Sequence, residues 1–318
     1  MSLIVQKFGG TSVANTERLK NVADIVTSTA KAGNQVVVVV SAQGDTTDDL
    51  IEKAAELNER PSRREMDVLL NTGEMISMSL LAMAIQKLGF PVVSLTGWQI
   101  GMETNSNYSD ARIKRISGDR LKAELDNGRI VIVAGFQGIN KMGDVTTLGR
   151  GGSDTTAVEL AAALKADRCE IYSDVDGIYT ADPRLVTGAV RLDSIDYGDM
   201  LHLALHGSQV LHSRSVEAAM RANVRVHLLS SFTRHEGTVM CKLADRPGLC
   251  GVTRDSSLGT VSIIGREADA HVLAEAVAAL AHSDIIVTRT ELFDGGCSLF
   301  VSPDRLLPAL EITHRRFF

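Results

Sequence analysis

What this sequence has little of limits it before any motif is read. Aromatic residues make up only 4% of 318 residues, the net charge is -6, and no lysine/arginine block is interleaved with aromatics. A nucleic-acid-binding surface is therefore not expected, and any anionic ligand must be met by local positive groups. The four cysteines, Cys169, Cys241, Cys250 and Cys297, are scattered with no C-x-x-C pair. That argues for reduced, structural thiols in a cytoplasmic protein and against a disulfide framework or metal knuckle. The N-terminal run M-S-L-I-V-Q-K-F reads as a strand and not as a targeting segment, and no apolar stretch is expected to span a bilayer. Neither G-x-x-x-x-G-K-[ST] nor G-x-G-x-x-G occurs, and there is no internal repeat.

What is present is an alternation of short apolar runs with longer amphipathic ones. Leu3–Phe8, Gln35–Ser41, Pro91–Thr96, Ile130–Phe136 and Cys169–Tyr172 read as strands, and the five consecutive valines Val36–Val40 must be covered on both faces. Helices are expected at Thr16–Ala32, Thr47–Glu59, Arg63–Leu88, Gly118–Asn127 and Thr155–Lys165. This predicts an α/β layered domain with a mostly parallel central sheet, in which ligands sit at the carboxyl ends of the strands. Near Ser231–Gly248 the pattern breaks into polar, Gly- and Pro-containing sequence. Beyond it, strands at Leu249–Arg254, Thr260–Ile264, Asp284–Glu291 and Cys297–Val301 and helices at Asp269–His282 and Pro303–Thr313 predict a ferredoxin-like α+β unit. The first of those strands replaces the one that would otherwise follow the last helix. The expected organisation is residues 1–240, a linker at 241–248, and a C-terminal domain at 249–318.

The chemistry should lie in the loops that follow the strands. K-F-G-G-T-S (Lys7 to Ser12) offers glycines for close backbone approach, N–H and hydroxyl donors, and a cation. S-A-Q-G-D-T-T-D (Ser41 to Asp48) adds hydroxyls to the same end of the sheet. T-T-L-G-R-G-G-S-D-T-T-A precedes a helix for which Ser153, Asp154 or Thr155 can serve as N-cap. The first N–H groups of that helix, with Arg150, suit a carboxylate or phosphate. Glu74, read alone, is a solvated helix residue. S-D-V-D-G-I-Y-T-A-D-P-R (Ser173 to Arg184) can hold Mg²⁺ through carboxylates and a nucleotide through Tyr179 and Arg184, or be a capped turn without metal.

Taken together, K-F-G-G-T-S, V-S-A-x-G-D-T-T-D, R-E-M-D-x-L-L-x-T-G-E, V-A-G-F-Q-G, T-T-L-G-R-G-G-S-D-T-T-A and C-E-I-Y-S-D-V-D-G-I-Y-T-A-D-P-R resemble the aspartate kinases of the amino acid kinase superfamily. The resemblance runs from the start to about Gly237. It implies a three-layer αβα fold and transfer of the ATP γ-phosphoryl group, with Mg²⁺, to the β-carboxylate of L-aspartate. Lys7 and Asp154 are implied as catalytic residues; Lys7, Gly9, Gly10, Ser173, Asp174, Tyr179 and Arg184 as ATP-binding; and Ser41, Thr47, Glu74, Arg150, Gly151 and Ser153 as substrate-binding. Arg150 would hold a substrate carboxylate and Glu74 the ammonium. The C-terminal unit resembles one ACT domain, where most members carry two, and it lacks the Pro-Gly turn common in the effector pocket. Altered or absent inhibition by lysine or threonine and a homodimer through this unit are expected, in an enzyme of lysine and threonine biosynthesis without nucleic-acid or membrane partners.

Three departures stand out: Gln209 where a lysine usually precedes V-L-H, Met75 after Glu74, and N-Y-S-D-A-R-I at Asn107–Ile113 where many members have H-G-x-A-R-I. They keep two alternatives open, a kinase acting on another carboxylate substrate and a weakly active binding or regulatory subunit. His202, His206 and His212 lack a third ligand at suitable spacing, so no metal site is expected there.

Overall fold

The computed structural model describes residues 1–233 and 235–318. The chain begins with β1 (Leu3–Phe8), α1 (Thr16–Lys31), β2 (Gln35–Val40), α2 (Thr46–Leu57), α3 (Arg63–Lys87) and β3 (Val92–Leu95). It continues with β4 (Met102–Thr104), β5 (Ile113–Ile116), α4 (Asp119–Asp126), β6 (Ile130–Ala134), β7 (Gln137–Ile139), β8 (Val145–Thr147), α5 (Gly152–Leu164) and β9 (Arg168–Ser173). Then come β10 (Ser194–Ile195), α6 (Tyr197–Leu205), α7 (Ser213–Ala222), β11 (Val226–Ser230) and β12 (Thr238–Met240). The last stretch holds β13 (Gly251–Asp255), β14 (Thr260–Ile264), α8 (Ala270–Ala281), β15 (Arg289–Phe293), β16 (Gly296–Phe300) and α9 (Leu306–Phe317). Two compact units result, one of Met1–Asp176 with Arg221–Glu236, the other of Gly177–Met220 with Gly237–Phe318.

In the first unit the strands run β11-β9-β1-β2-β6-β3, every neighbouring pair parallel. Val36, Val38 and Val40 join Ile130 and Ile132 in a core closed by Leu19, Val22 and Val26 of α1 and Leu81 and Ile85 of α3. Val37, Val39, Val131 and Val133 point the other way and are equally buried, on the face where α5 packs against β1 and β2 and α4 against β6. The helices begin where local chemistry says they should: Asn15 accepts from Arg18 N–H and Ser62 from Glu65 N–H. A smaller sheet, β5-β4-β7-β8, was not foreseen, because its three- and four-residue strands carry no periodic signal.

The second unit contains an antiparallel sheet, β13-β14-β16-β15, with α8 and α9 packed on it. This is the ferredoxin-like arrangement with its edge strand supplied from the N-terminal side, as the sequence predicts. Its core includes Val261, Ile263, Leu280, Leu299 and Leu310, and also Ala181 and Val186 from the Gly177–Met220 segment. β10 and β12 form a parallel pair in the same unit.

Three expectations need correction. Helix α5 starts at Gly152 and its N-cap is Gly151, at φ 71°, with no side-chain cap, so Ser153, Asp154 and Thr155 all lie inside the first turn. The strand expected at Asp284–Glu291 starts only at Arg289, because Asp284 has positive φ and Ile285 N–H bonds back to Leu280 C=O, closing α8. Finally, α3 is long and apolar enough by length and composition to cross a membrane, although half of its apolar window is buried within the protein. Its buried side carries the polar residues Asn71, Glu74 and Ser77.

Candidate active site

The parallel strands end together, and backbone hydrogen bonds lace the loops that leave them. Gly9 N–H donates to Tyr172 C=O (3.2 Å), Ser41 N–H to Phe8 C=O (3.2 Å), Gly135 N–H to Val40 C=O (3.0 Å) and Gly44 N–H to Gly10 C=O (3.0 Å). The loops after β1, β2, β6 and β9 are thus joined at one end of the sheet, as expected for a parallel α/β domain.

Lys7 lies in β1, paired with Val39 on one side and Ile171 on the other, and is 8% exposed. Strand alternation turns it to the α5 face, where its Nζ is 2.7 Å from Asp154 Oδ1 in the first turn of α5. The contact is a close ion pair without hydrogen-bond alignment. A largely buried ion pair needs both partners, since removing one leaves an uncompensated charge at a cost of about 3–5 kcal/mol. The glycines beside it keep the loop narrow: a side chain on Gly9 would stand 3.5 Å from Lys7 Nζ, and one on Gly10 would meet Ala42 C=O at 2.8 Å.

Glu74 is the other buried charge at this end. Its helix comes close to the β2 loop because Gly73 has no side chain: a Cβ there would meet Ala42 Cβ at 2.8 Å. Glu74 Oε1 accepts from Ala42 N–H (3.1 Å), while Oε2 is buried with no hydrogen-bond partner among the described residues. At 3% exposed, desolvation dominates and pushes the carboxyl up to about 7, against the smaller opposing effect of the Ala42 bond. A solvated helix residue, as Glu74 reads in isolation, it is not.

The remaining candidates in the first unit gather on the same loops and helix starts. Ser41 and Thr47 are half-buried after β2 and in the first turn of α2. Ser153 is buried, its hydroxyl 2.7 Å from where a Cβ on Gly135 would stand. Arg150 is exposed and makes no ion pair among the described residues. Ser173 Oγ turns into its own loop toward Val175 (3.3 Å), and Asp174 is exposed. Tyr179 and Arg184 belong to the second unit, where Arg184 grips Asp182 through two bonds (3.0 and 2.8 Å) and holds that carboxyl below its usual range.

Asp67 was missed. It is fully buried and accepts from Ser109 N–H (3.0 Å), Thr147 N–H (2.9 Å) and Thr147 Oγ1 (2.7 Å), tying α3 to the Asn107–Ile113 loop and β8. Its only sequence signal was its place in R-E-M-D, which says nothing about partners 42 and 80 residues away. Among the described residues no three His, Cys, Asp or Glu side chains cluster in a metal-binding arrangement, and His206 stacks on Phe293 at 4.2 Å.

The amino acid kinase family matches residues 2–230. The chain belongs to that family. Within it the similarity is to aspartokinases. The one from Bacillus sp. (strain MGA3) is 53% identical over 240 residues, 76% of this chain and 58% of that one. The Corynebacterium glutamicum enzyme is 50% identical over 291 residues, covering 90% of this chain and 69% of its own. The chain thus spans between 58% and 69% of the length of these relatives. Among solved structures, E. coli aspartokinase III in complex with aspartate and ADP superposes with a TM-score of 0.72 at 28% identity, covering 94% of this chain and 78% of that one. This agrees with the αβα kinase fold and the six sequence blocks that pointed to it.

An anionic phosphate fits this end of the sheet by three features of the structure: a buried ammonium at Lys7, a glycine loop with no side chain in its path, and a helix start that no side chain caps. Mg²⁺ fits only as a companion of the nucleotide, since no set of three clustered acidic ligands is present among the described residues.

Proposed function

We propose that this chain is an aspartate kinase, transferring the γ-phosphoryl group of ATP to the β-carboxylate of L-aspartate to give 4-phospho-L-aspartate and ADP. The observation that carries the amino-acid part of this reading is Glu74. A buried carboxylate with one oxygen lacking a partner calls for a cation, and the substrate ammonium is the right size and charge. Arg150, exposed and without an ion pair among the described residues, serves the α-carboxylate through its planar fork, with Ser41, Thr47, Gly151 and Ser153 lining the same place.

The acceptor is already ionised at neutral pH, so no general base is required. One oxygen of the β-carboxylate forms a bond to the γ-phosphorus as the bond to the ADP oxygen breaks. Lys7 neutralises charge on the transferred group, and Asp154 fixes Lys7 in position. Gly9 and Gly10, with Lys7, hold the phosphates, and Ser173 and Asp174 contact ATP. Mg²⁺ bound with ATP would supply further charge neutralisation at the phosphates.

The same reading places the enzyme in the cytoplasm, in amino-acid biosynthesis, with α3 as a core helix and no membrane partner. Residues 1–240 act as the catalytic domain and 249–318 as an ACT-like domain that pairs with its copy in a homodimer. Without the Pro-Gly turn after β14, inhibition by lysine or threonine is lost or altered; abolition of activity by either at millimolar concentration would overturn that.

Incubation with ATP, Mg²⁺ and a panel of amino acids, trapping acyl phosphate with hydroxylamine, tests the whole reading. Hydroxamate from aspartate alone supports it, and hydroxamate from a different acid redirects it to another carboxylate substrate. Gln209 favours the second reading, a weakly active binding subunit: it is exposed, and its amide donates to Gly207 C=O (3.3 Å) where relatives are expected to have a cation. No product from folded protein that co-purifies with a partner would favour that reading, whereas turnover appearing in Gln209→Lys would show a crippled phosphate site.

A further inference from the structure

Between Met66 and Gln86 the only charged residues of α3 are Asp67 and Glu74, and both are buried. They stand about two turns apart on the same face of the helix. Glu74 keeps an oxygen with no hydrogen-bond partner among the described residues, whereas Asp67 is fully engaged by the protein. Ser109 N–H donates to both Asp67 oxygens (3.0 Å each) and Ser109 Oγ to Oδ1 (3.2 Å). Thr147 N–H donates to Oδ2 (2.9 Å) and Thr147 Oγ1 to Oδ1 (2.7 Å). Between the two carboxylates, the buried Gln137 of β7 donates to Asn71 C=O (3.1 Å). One face of one helix thus fastens β7, β8 and the Asn107–Ile113 loop, and farther along presents Glu74.

Ser109 has φ 67°, a left-handed conformation unfavourable for a residue with a side chain. Where many aspartate kinases have H-G-x-A-R-I, the glycine falls at this place and takes up such a turn without that cost. Serine needs a support that glycine does not, and the bonds from its N–H and hydroxyl to Asp67 provide it. The constraint passes on to β8, because Ala111 N–H donates to Thr147 C=O (2.9 Å). From Thr147 the chain runs through Leu148 to Gly151, the N-cap of α5, whose first turn carries the Asp154 that pairs with Lys7. That step has no slack, since a Cβ on Gly152 would meet Leu148 Cβ at 2.9 Å.

We propose that Asp67 is a positioning residue for the amino-acid substrate: by holding Ser109 in its left-handed turn and seating β8 on α3, it fixes Glu74 relative to the start of α5. It thereby sets where the substrate ammonium is held with respect to the carboxylate offered for phosphorylation. The inference rests on the reading of Glu74 as the partner of that ammonium.

The test uses the full chain and four variants: Asp67→Asn, which keeps the shape but turns an amide toward donors; Thr147→Val; Ser109→Gly; and the double variant Asp67→Asn/Ser109→Gly. Aspartate and ATP are varied independently, aspartate binding is measured by calorimetry, and thermal melting reports the fold. Asp67→Asn should raise KM and Kd for aspartate by about tenfold or more, and Thr147→Val by about three- to tenfold. KM for ATP should stay within about twofold, because β1 and its neighbours, not Asp67, hold Lys7 and the glycine loop. Ser109→Gly alone should stay within about twofold for both, and in the double variant it should recover about threefold of the loss, since glycine keeps the turn without the clamp. Equal shifts in both KM values, lower melting with unchanged aspartate binding, or no recovery by glycine would overturn the inference and leave Asp67 merely structural. If Asp67→Asn does not fold, Thr147→Val against Thr147→Ser decides the matter with the same readouts. Glu74→Gln, run alongside, separates the two readings. Aspartate binding weakened by Glu74→Gln but untouched by Asp67→Asn overturns this inference alone, whereas binding untouched by Glu74→Gln removes the ammonium reading and this inference with it.

Discussion

The carboxyl end of the parallel sheet and the C-terminal antiparallel sheet bury very different polar groups. The first holds Lys7 and Glu74 almost out of solvent, one paired with Asp154 and the other with a carboxylate oxygen unmatched. From Gly251 onward the buried polar side chains are hydroxyls and one histidine, with no carboxylate, ammonium or guanidinium among them. There, Ser262 and Ser298 pair across the sheet at 2.7 Å, and Thr180 and His314 at 2.8 Å. Buried charge is costly unless matched, so a place that concentrates it and leaves part unmatched is built for a charged guest. The C-terminal region buries uncharged groups, paired with one another at Ser262 and Ser298 and at Thr180 and His314, with Thr313 Oγ1 left without a partner among the described residues.

The largest effect that could break this contrast is at Lys7. Lys7→Gln should lower turnover by about a hundred- to a thousandfold, as loss of one charge contact to a transferring group does. It should also destabilise the fold, because Asp154 is left buried beside a neutral amide. Steady-state kinetics and denaturant melts would check both; a variant with near-normal turnover would remove Lys7 from the chemistry.

Next comes Glu74→Gln, for which function and stability move in opposite directions. KM for aspartate should rise about ten- to a hundredfold, the worth of a hydrogen bond to a charged group. The folded-state pKa, about 7, lies above the ordinary 4.5, so the folded protein holds a proton that the unfolded chain has released. Stability contributed by this site therefore falls as pH rises from about 4.5 through about 7 and is flat above. Removing the charge should abolish that slope and stabilise the free protein at pH 8 by up to about 3 kcal/mol. Melting curves of both proteins at pH 5 and pH 8 would show whether the difference grows with pH as required.

Gly73→Ala should be milder in kind, costing about 1–3 kcal/mol through overpacking against Ala42 and raising KM for aspartate by shifting Glu74. Unchanged KM would mean that the helix can retreat without moving the carboxylate. Smallest of all should be Ser262→Ala, about 1 kcal/mol of stability with no change in either KM. Any kinetic effect there would erode the distinction between the two regions.

Much of this could be read along the chain because it is local. Glycine-rich turns after strands, five valines in a row and the six kinase blocks depend on residues a few places apart, and they placed β1, β2, α1, α3 and, β15 apart, the elements of the ferredoxin-like unit within a few residues of their bounds. The same blocks named Lys7, Asp154 and Glu74. What they could not give was state. That Lys7 and Asp154 touch depends on a strand and a helix 147 residues apart in sequence packing face to face. Glu74 read alone was a solvated residue until Gly73 let its helix close on Ala42 and shut out water. Asp67, fully buried, was invisible for the same reason.

The sequence by itself therefore determined the α/β alternation, the family and the chemical types available at the strand ends, since periodicity, turn chemistry and motif spacing are properties of neighbours. Only the tertiary structure decided which charges are buried, which oxygen is left without a partner, and that Ala181 and Val186 pack into the C-terminal core. Desolvation depends on everything that surrounds a group, and most of what surrounds these groups comes from distant parts of the chain.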